Sequence, residues 1–188
     1  MGDSGIPPPA GESVVLVDQH DRALGTMEKL AAHQQGKLHR ALSVVLRSPD
    51  GRLLLQRRAL GKYHSGGTWT NTCCSHPRPG ESPLAASVRR LREEMGIGIA
   101  TLNPLFSTVY RADVGHGLTE HEFVHVFGGV WNGPISPDPA EVDSHAWIEA
   151  EALRRDLDAN PGRYSVWFRT YAACFWERIA GPAFAGAN

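Results

Sequence analysis

The sequence predicts an α/β (α+β) domain in which a mixed β-sheet carries helices on its faces. Segments with strand character are spread along the chain with few helices between them. One capped amphipathic helix lies mid-chain, and an aromatic-rich helix lies near the end. At 188 residues, the chain can bury a sizeable core without disulfides. We therefore expect one domain over residues 13–180.

Both ends are predicted to lie outside this domain. Residues 1–12 are small, polar and proline-rich, and they cannot bury enough apolar surface to offset the entropy of ordering them. They are predicted to form a flexible tail, and residues 181–188 are predicted to form a C-terminal tail.

The first third of the chain predicts a strand, a short helix and a hairpin. Residues 14–17 form a predicted strand that enters a turn, and Thr26 is predicted to cap a short helix with Lys29 and His33 on one face. Two leucine-rich segments, 38–46 and 52–56, flank a Ser-Pro-Asp-Gly turn and predict two central strands.

The remaining elements follow from periodicity and caps. Residues 69–75 predict a strand or extended loop. The clearest helix has Ser82 as N-cap, Pro83 in its first turn and Gly96 as its stop. Two long strands are predicted next, one ending near Tyr110 and one over 120–131. Aromatic residues at helical spacing over 164–179 predict a helix on the sheet, with Cys174 in the core.

Composition excludes several classes of function. The formal net charge is −1, so no global field favours nucleic acid or an anionic membrane. No apolar run approaches the ~20 residues that span a bilayer, and the N-terminus does not resemble a signal peptide. Three cysteines, two of them adjacent, suit a reduced compartment. We expect a cytoplasmic monomer or weak dimer with no nucleic-acid or membrane partner.

Alternation along extended segments brings candidate site residues together. In 73–76, Cys74 and His76 share a face while Cys73 points away. By the same parity Glu120 and Glu122 share a face. Two such carboxylates repel each other unless a cation lies between them, and a divalent cation also bound by neutral imidazoles would relieve the repulsion. An exposed strand face with outward polar residues is the alternative.

Histidines that could supply the imidazoles are His76 and, upstream, His33 and His39. On the capped helix, Glu93 and Glu94 lie at the C-terminal end, where they oppose the helix dipole, and a bound cation would explain them. The alternative is a solvated face on which arginines one turn earlier pair with both glutamates, worth ~0.3–0.5 kcal/mol per pair.

The helix resembles the Nudix box, in which Gly, five residues, Glu and seven residues precede Arg-Glu-U-x-Glu-Glu-x-Gly-U, with U apolar. The matching residues are Glu81, Arg89, Leu91, Glu93, Glu94, Gly96 and Ile97. Ser75 stands at the first glycine, and Arg90 replaces the first glutamate of the Arg-Glu pair. Because the glutamates of the box hold the metals that activate water, this loss counts against hydrolysis while the fold is retained. Arg90 is a candidate phosphate ligand instead.

Further motifs resemble the type 1 isopentenyl-diphosphate isomerases, a family with the Nudix fold. The ordered matches are Lys29 to His33, Leu38-His39, Arg57-Arg58-Ala59-Leu60 with Lys62, Thr70-Asn71 through Cys74-Ser75-His76-Pro77, Tyr110-Arg111-Ala112-Asp113 and Glu120-His121-Glu122. The resemblance implies conversion of isopentenyl diphosphate to dimethylallyl diphosphate, with Cys74 and Glu122 as proton-transfer groups and Tyr110 as a relay. Which group donates the proton is left open.

The same resemblance implies two metals. One, Mn²⁺ or Zn²⁺, is held by five side chains, namely His33, His39, His76, Glu120 and Glu122. The other, Mg²⁺, lies near Glu94 and the backbone of Cys74 and bridges to the substrate diphosphate. Trp167 occupies the position of an aromatic face that stabilises a carbocation. The candidate diphosphate ligands are Lys29, Arg58, Lys62 and Arg90.

Two alternatives remain. One is a Nudix pyrophosphohydrolase of a nucleoside diphosphate derivative. The other is a non-enzymatic module in which Cys73, Cys74 and His76 hold a structural zinc, although no second cysteine pair completes the usual spacing.

Overall fold

The computed structural model describes residues 11–181, which form one nine-stranded mixed sheet with four α-helices. The strands are β1 (Ser13–Val17), β2 (Ala23–Glu28), β3 (His39–Arg47), β4 (Leu53–Arg58), β5 (Trp69–Thr70), β6 (Cys73–Ser75), β7 (Asn103–Asp113), β8 (Thr119–Val130) and β9 (Val142–Ile148). The helices are α1 (Lys29–Gln34), α2 (Pro83–Met95), α3 (Ala150–Ala159) and α4 (Val166–Ala180). The predicted fold class is confirmed.

The central strand is β3, which contacts four others. It runs parallel to β8 along its whole length, with His39 opposite Glu122. Its other edge pairs antiparallel with β1, β6 and β4 in succession, and Ser43 lies opposite Cys74. Strands β6 and β8 therefore flank β3. The predicted hairpin of β3 and β4 is confirmed by their antiparallel pairing.

The sheet has a core on each face. Helices α3 and α4 cover one face, where Tyr110, Trp167 and Tyr171 are buried among aliphatic residues of β3, β4 and β8. Helix α2 covers the other face through Leu91 and Met95, and Cys73 lies in that second core. Cys73 and Cys74 thus point to opposite faces, as alternation predicts.

Several predicted details are wrong. Helix α1 is capped by Glu28, whose carboxylate accepts hydrogen bonds from the amides of Leu30 and Ala31, while Thr26 lies within β2. Strand β9 and helix α3 were not predicted. Few of their residues are buried, namely Val142 in β9 and Leu153 and Leu157 in α3, so each leaves only a weak apolar pattern in the sequence.

Cys174 is exposed, so its predicted core position is also wrong. Phe175 departs from helical geometry, with φ −135° and ψ 28°. The buried side chains of α4 are Trp167, Phe168 and Tyr171 before this kink and Trp176 and Ile179 after it, and Cys174 lies exposed between them.

The predicted tails lie outside the described residues except for Gly11, Glu12 and Gly181, and the domain boundaries stay predictions. Among residues 11–181, no helix combines the length and apolar character needed to cross a bilayer.

Gly96 ends α2, and a substitution at this position tests why the helix ends there. Gly96 has φ 65°, and a Cβ there would lie 2.4 Å from the carbonyl oxygen of Ser136. We expect Gly96→Ala to lower the free energy of unfolding by about 1–3 kcal/mol, because both the backbone conformation and the close approach resist a side chain. Urea unfolding measures this. Gly98→Ala is the matched control, since nothing lies within 4 Å of its added Cβ; an equal loss in both variants would contradict the explanation.

Candidate active site

The site begins at a cross-strand contact between β7 and β8. Tyr110 lies opposite Glu122, and its hydroxyl is 2.6 Å from Glu122 Oε2 and 2.9 Å from Glu120 Oε2. Both glutamates are buried on the same face, whereas His121 between them contacts the Gly36 carbonyl oxygen elsewhere. The parity predicted for this segment is confirmed.

Both carboxyl groups lie within hydrogen-bonding distance of the single Tyr110 hydroxyl, but their environments shift their pKa values in opposite directions. Burial raises the pKa of Glu120 well above its usual range, and the charge of Glu122 adds to the rise. Burial alone would also raise the pKa of Glu122, but the neighbouring imidazoles of His39 and His76 hold it well below its usual range. Glu120 therefore favours its protonated form, and Glu122 favours its ionised form.

Three of the predicted histidines converge on these carboxylates. His33 Nδ1 donates to the Lys29 carbonyl oxygen at 2.7 Å, and His39 Nδ1 donates to the Lys37 carbonyl oxygen at 2.8 Å. A carbonyl oxygen only accepts, so Nδ1 of each ring carries a proton, and in the neutral ring the lone pair is on Nε2. This backbone bond is the one that orients metal-ligating histidines in proteins.

The arrangement of these imidazole nitrogens around the Glu122 carboxylate suits a bound cation. His39 Nε2 is 3.2 Å from His76 Nε2 and 3.7 Å from Glu122 Oε1, and His76 Nε2 is 3.0 Å from that same oxygen. Burial lowers the pKa of His76 to about 3, so its ring is neutral. Among the described residues, His33 Nε2 is buried without a hydrogen-bond partner. Atoms able to accept at these separations require a proton or a metal ion between them, and the donor set suits a divalent ion.

The potential ligand atoms form two overlapping sets. In one, those of His33, His39, His76 and Glu122 lie within 4.8 Å of one another. In the other, Glu120 groups with His33 and a residue that the sequence analysis did not select, His64. His64 follows Lys62 in a loop, where no periodicity shows which side chains turn inward. The sequence signal that could have selected His64 was its position two residues after Lys62, a predicted diphosphate ligand.

The second half of the site surrounds the thiol of Cys74. Its Sγ lies 3.1 Å from Asn71 Oδ1, 3.1 Å from Ser43 Oγ and 3.0 Å from Trp167 Nε1, which donates to it. Asn71 is held by its own bonds to Ser43 and to the Val44 carbonyl oxygen. Burial raises the pKa of Cys74 to about 12, so the thiol keeps its proton at neutral pH. Sequence reasoning gave Ser43 and Asn71 no role.

A structural zinc held by Cys73, Cys74 and His76 does not fit this geometry. Cys73 is fully buried on the opposite face of the sheet. Within residues 11–181, neither set of potential metal ligands includes a cysteine. That alternative is therefore wrong.

Cys74 and the paired carboxylates line one cavity of about 420 Å³. Leu42, Trp167 and Tyr171 contribute apolar walls. All four predicted diphosphate ligands, Lys29, Arg58, Lys62 and Arg90, also line it. The cavity thus combines a cationic part, an apolar part and titratable groups.

The four cationic side chains differ in whether a nearby carboxylate neutralises their charge. Lys29 pairs with Glu12 at 2.8 Å, and Lys62 pairs with Glu141. Arg58 has no carboxylate within 4.0 Å among residues 11–181. Its Nε is buried without a hydrogen-bond partner in that part of the chain, and its guanidinium lies 5.3 Å from the centre of the Trp167 ring.

Helix α2 presents Glu94 and Arg90 to the same cavity. Arg90 contacts Glu94 at 2.6 Å, Glu93 at 2.8 Å and Glu141 at 3.2 Å. Burial alone would lower the pKa of Arg90, but the Glu94 carboxylate raises it, so the guanidinium stays charged. Glu93 is thus explained by pairing with arginines, whereas Glu94 is buried and faces the cavity.

This chain is similar to known proteins in both fold and sequence. A NUDIX domain model matches residues 37–168. A crystal structure of a Deinococcus radiodurans protein superposes with a TM-score of 0.72, covering 87% of this chain and 99% of the other at 20% identity. That identity supports the fold alone. The chain is a Nudix-domain protein.

Relatives with higher sequence identity show which family of Nudix-domain proteins this is. The chain is 49% identical over 177 residues to "Isopentenyl-diphosphate Delta-isomerase 2" of Aromatoleum aromaticum, covering 94% of this chain and 92% of the relative. It is 47% identical over 171 residues to "Isopentenyl-diphosphate Delta-isomerase" of Burkholderia multivorans, covering 91% and 94%. The chain belongs to the isopentenyl-diphosphate Delta-isomerase family, and the resemblance identified from its motifs is confirmed.

Proposed function

We propose that this protein converts isopentenyl diphosphate to dimethylallyl diphosphate, using Cys74 and Glu122 as its proton-transfer groups. The activity is that of its family. The observation that supports these residues is one cavity in which a protonated thiol and an ionised, tyrosine-bonded carboxylate accompany four cationic side chains.

The lining of the cavity matches the two halves of the substrate. A diphosphate is recognised by cationic groups, and Arg58 is the best placed because its charge and buried Nε are not already satisfied by a carboxylate. Lys29, Lys62 and Arg90 would exchange acidic partners for phosphate oxygens. The five-carbon hydrocarbon end fits against Leu42, Trp167 and Tyr171.

The reaction adds a proton to the terminal alkene carbon and removes one from the carbon two positions away. Protonation leaves a tertiary carbocation, and loss of the second proton forms the internal double bond, so atoms and charge balance. Cys74 and Glu122 project from the two strands that flank β3, which allows them to act at different carbons. Tyr110, bonded to both glutamates, would relay the proton of Glu122.

Trp167 would stabilise the cationic intermediate. It is 2% exposed, so core packing is part of its role, yet its ring lines the cavity and its Nε1 contacts the thiol. A desolvated cation–π contact contributes ~2 kcal/mol. Water would capture the carbocation, so the apolar wall also protects it.

The metal assignments are part of this proposal. His33, His39, His76, Glu120 and Glu122 would hold Mn²⁺ or Zn²⁺, which would screen the repulsion between the carboxylates and keep them in place. Mg²⁺ would accompany the diphosphate near Glu94 and the Cys74 backbone. Glu94 presently accepts hydrogen bonds from Arg90 at 2.6 Å and from Gln56 at 3.3 Å.

The remaining expectations concern the protein as a whole. We propose a cytoplasmic monomer or weak dimer whose catalytic domain spans residues 13–180. Light scattering of the purified chain tests the oligomeric state, and activity of a fragment limited to these residues tests the boundaries.

The experiment that tests the function is incubation of the purified protein with isopentenyl diphosphate, Mg²⁺ and Mn²⁺ in heavy water. We expect dimethylallyl diphosphate carrying deuterium, detected by NMR and mass spectrometry. Unlabelled, unchanged substrate would overturn the proposal. Release of phosphate from nucleoside diphosphate derivatives, without isomerisation, would favour the pyrophosphohydrolase instead.

Replacing Arg58 tests how the diphosphate is held. We expect Arg58→Gln to raise KM by about 10–100-fold, since a charge-assisted hydrogen bond to phosphate is worth about 1.5–3 kcal/mol, and to change kcat less. Arg57→Gln is the matched control, because Arg57 pairs with Asp143 and does not line the cavity. Steady-state kinetics that show equal KM values for both variants would contradict this role.

A further inference from the structure

His64 lies deeper in the site than its position in a loop would indicate. It is 5% exposed, and its ring lines the cavity beside Trp167, with the two ring centres 6.0 Å apart. Its carbonyl oxygen accepts a hydrogen bond from Arg58, and a neighbouring Thr68 hydroxyl bonds to the Ser65 carbonyl oxygen. The loop thus holds the imidazole inside the protein.

The ring points its Nε2 at Glu120. The distance from His64 Nε2 to Glu120 Oε1 is 3.6 Å, too long for a hydrogen bond. Two atoms that bind the same metal at bonds of roughly 2.1 Å lie about 3–4 Å apart, so this separation suits neighbouring ligands. The potential ligand atoms of His64, Glu120 and His33 all lie within 4.8 Å of one another.

His33 connects this group to the other three ligands. Its Nδ1 donates to the Lys29 carbonyl oxygen, so only Nε2 is available to a metal, and Nε2 has one lone pair. His33 belongs to both sets of potential ligands. One imidazole nitrogen binds one ion, so His33 can serve both sets only around a single cation. The six ligand atoms do not all lie within 4.8 Å of one another, so the side chains would draw together on binding it.

We propose that His64 is a fourth imidazole ligand of this centre, which then has six protein side chains around one divalent cation. The inference rests on the metal site of the proposed function and adds a residue to it, since the resemblance to the family implies five ligands. Four neutral imidazoles and two carboxylates balance the charge of a divalent ion. An added imidazole favours Co²⁺, Ni²⁺ and Zn²⁺ over Mn²⁺ and Mg²⁺.

The test uses Co²⁺ and Mn²⁺ as probes of the full-length protein. X-ray absorption and visible spectra of the Co²⁺ form report the imidazole ligands directly, and chelator competition gives both affinities. We expect about four imidazoles in the wild type and three in His64→Gln. We also expect Co²⁺ affinity to fall at least tenfold in the variant and Mn²⁺ affinity to fall less. His145→Gln, an exposed histidine on β9, is the matched control and should change neither.

The outcomes separate this inference from the site on which it rests. Tight Co²⁺ binding with three imidazoles in the wild type would overturn the role of His64 and leave the five-residue site intact. A weaker variant with an unchanged spectrum would also overturn it, because His64 would then act only on the position of Glu120. Absence of metal binding in the wild type would overturn the site itself. The wild-type spectrum decides the matter even if the variant folds poorly.

Discussion

Cys74→Ala is expected to lower kcat by about 10²–10⁴-fold while leaving KM nearly unchanged. Removal of a general acid or base costs this much, and the thiol contacts Ser43, Asn71 and Trp167 rather than a predicted diphosphate ligand. Deuterium incorporation into substrate and product in heavy water, followed by NMR, measures the loss at the proton-transfer step itself.

Two other cysteines provide matched controls. Cys73 is fully buried in the core under α2, so Cys73→Ala should lower the free energy of unfolding by about 1 kcal/mol and retain turnover. Cys174 is exposed, and Cys174→Ala should change neither quantity. If Cys73→Ala abolished exchange in a folded protein while Cys74→Ala did not, the assignment of the two thiols would be reversed.

Glu122→Gln is expected to have the second large effect. The amide keeps the size of the carboxylate and can still accept from Tyr110, but it cannot exchange a proton with the substrate and is a weaker metal ligand. We expect kcat to fall by about 10²–10⁴-fold and metal affinity to fall by at least tenfold. Kinetics at saturating Mn²⁺, together with metal competition, separate the two losses.

The control for this change is Glu93→Gln. Glu93 lies on the exposed side of α2 and pairs with Arg89 and Arg90, so the free energy of unfolding should change by less than about 0.5 kcal/mol with turnover retained. Recovery of near-normal kcat by Glu122→Gln once metal is saturating would show that Glu122 acts only as a ligand.

Local sequence patterns were enough to predict side-chain directions in two strands, the ends of α2 and the family of the protein. Strand alternation placed Cys74 with His76 and Glu120 with Glu122, because side chains in extended backbone point to alternate faces whatever packs against them. Ser82 and Gly96 delimited α2 for an equally local reason, since they satisfy amide and carbonyl groups at the helix ends. The spaced motifs identified the family.

Only the tertiary structure decided which groups meet. Tyr110 lies opposite Glu122 through the register of β7 and β8, and helix α4 is interrupted by a kink at Phe175. Arg90 pairs with Glu93 and Glu94 on its own helix, as helical spacing allows, but its contact with Glu141 follows only from the tertiary structure. His64 reaches Glu120, 56 residues away, from a loop with no period. Such contacts depend on the path of the chain between distant segments, and no local rule encodes that path.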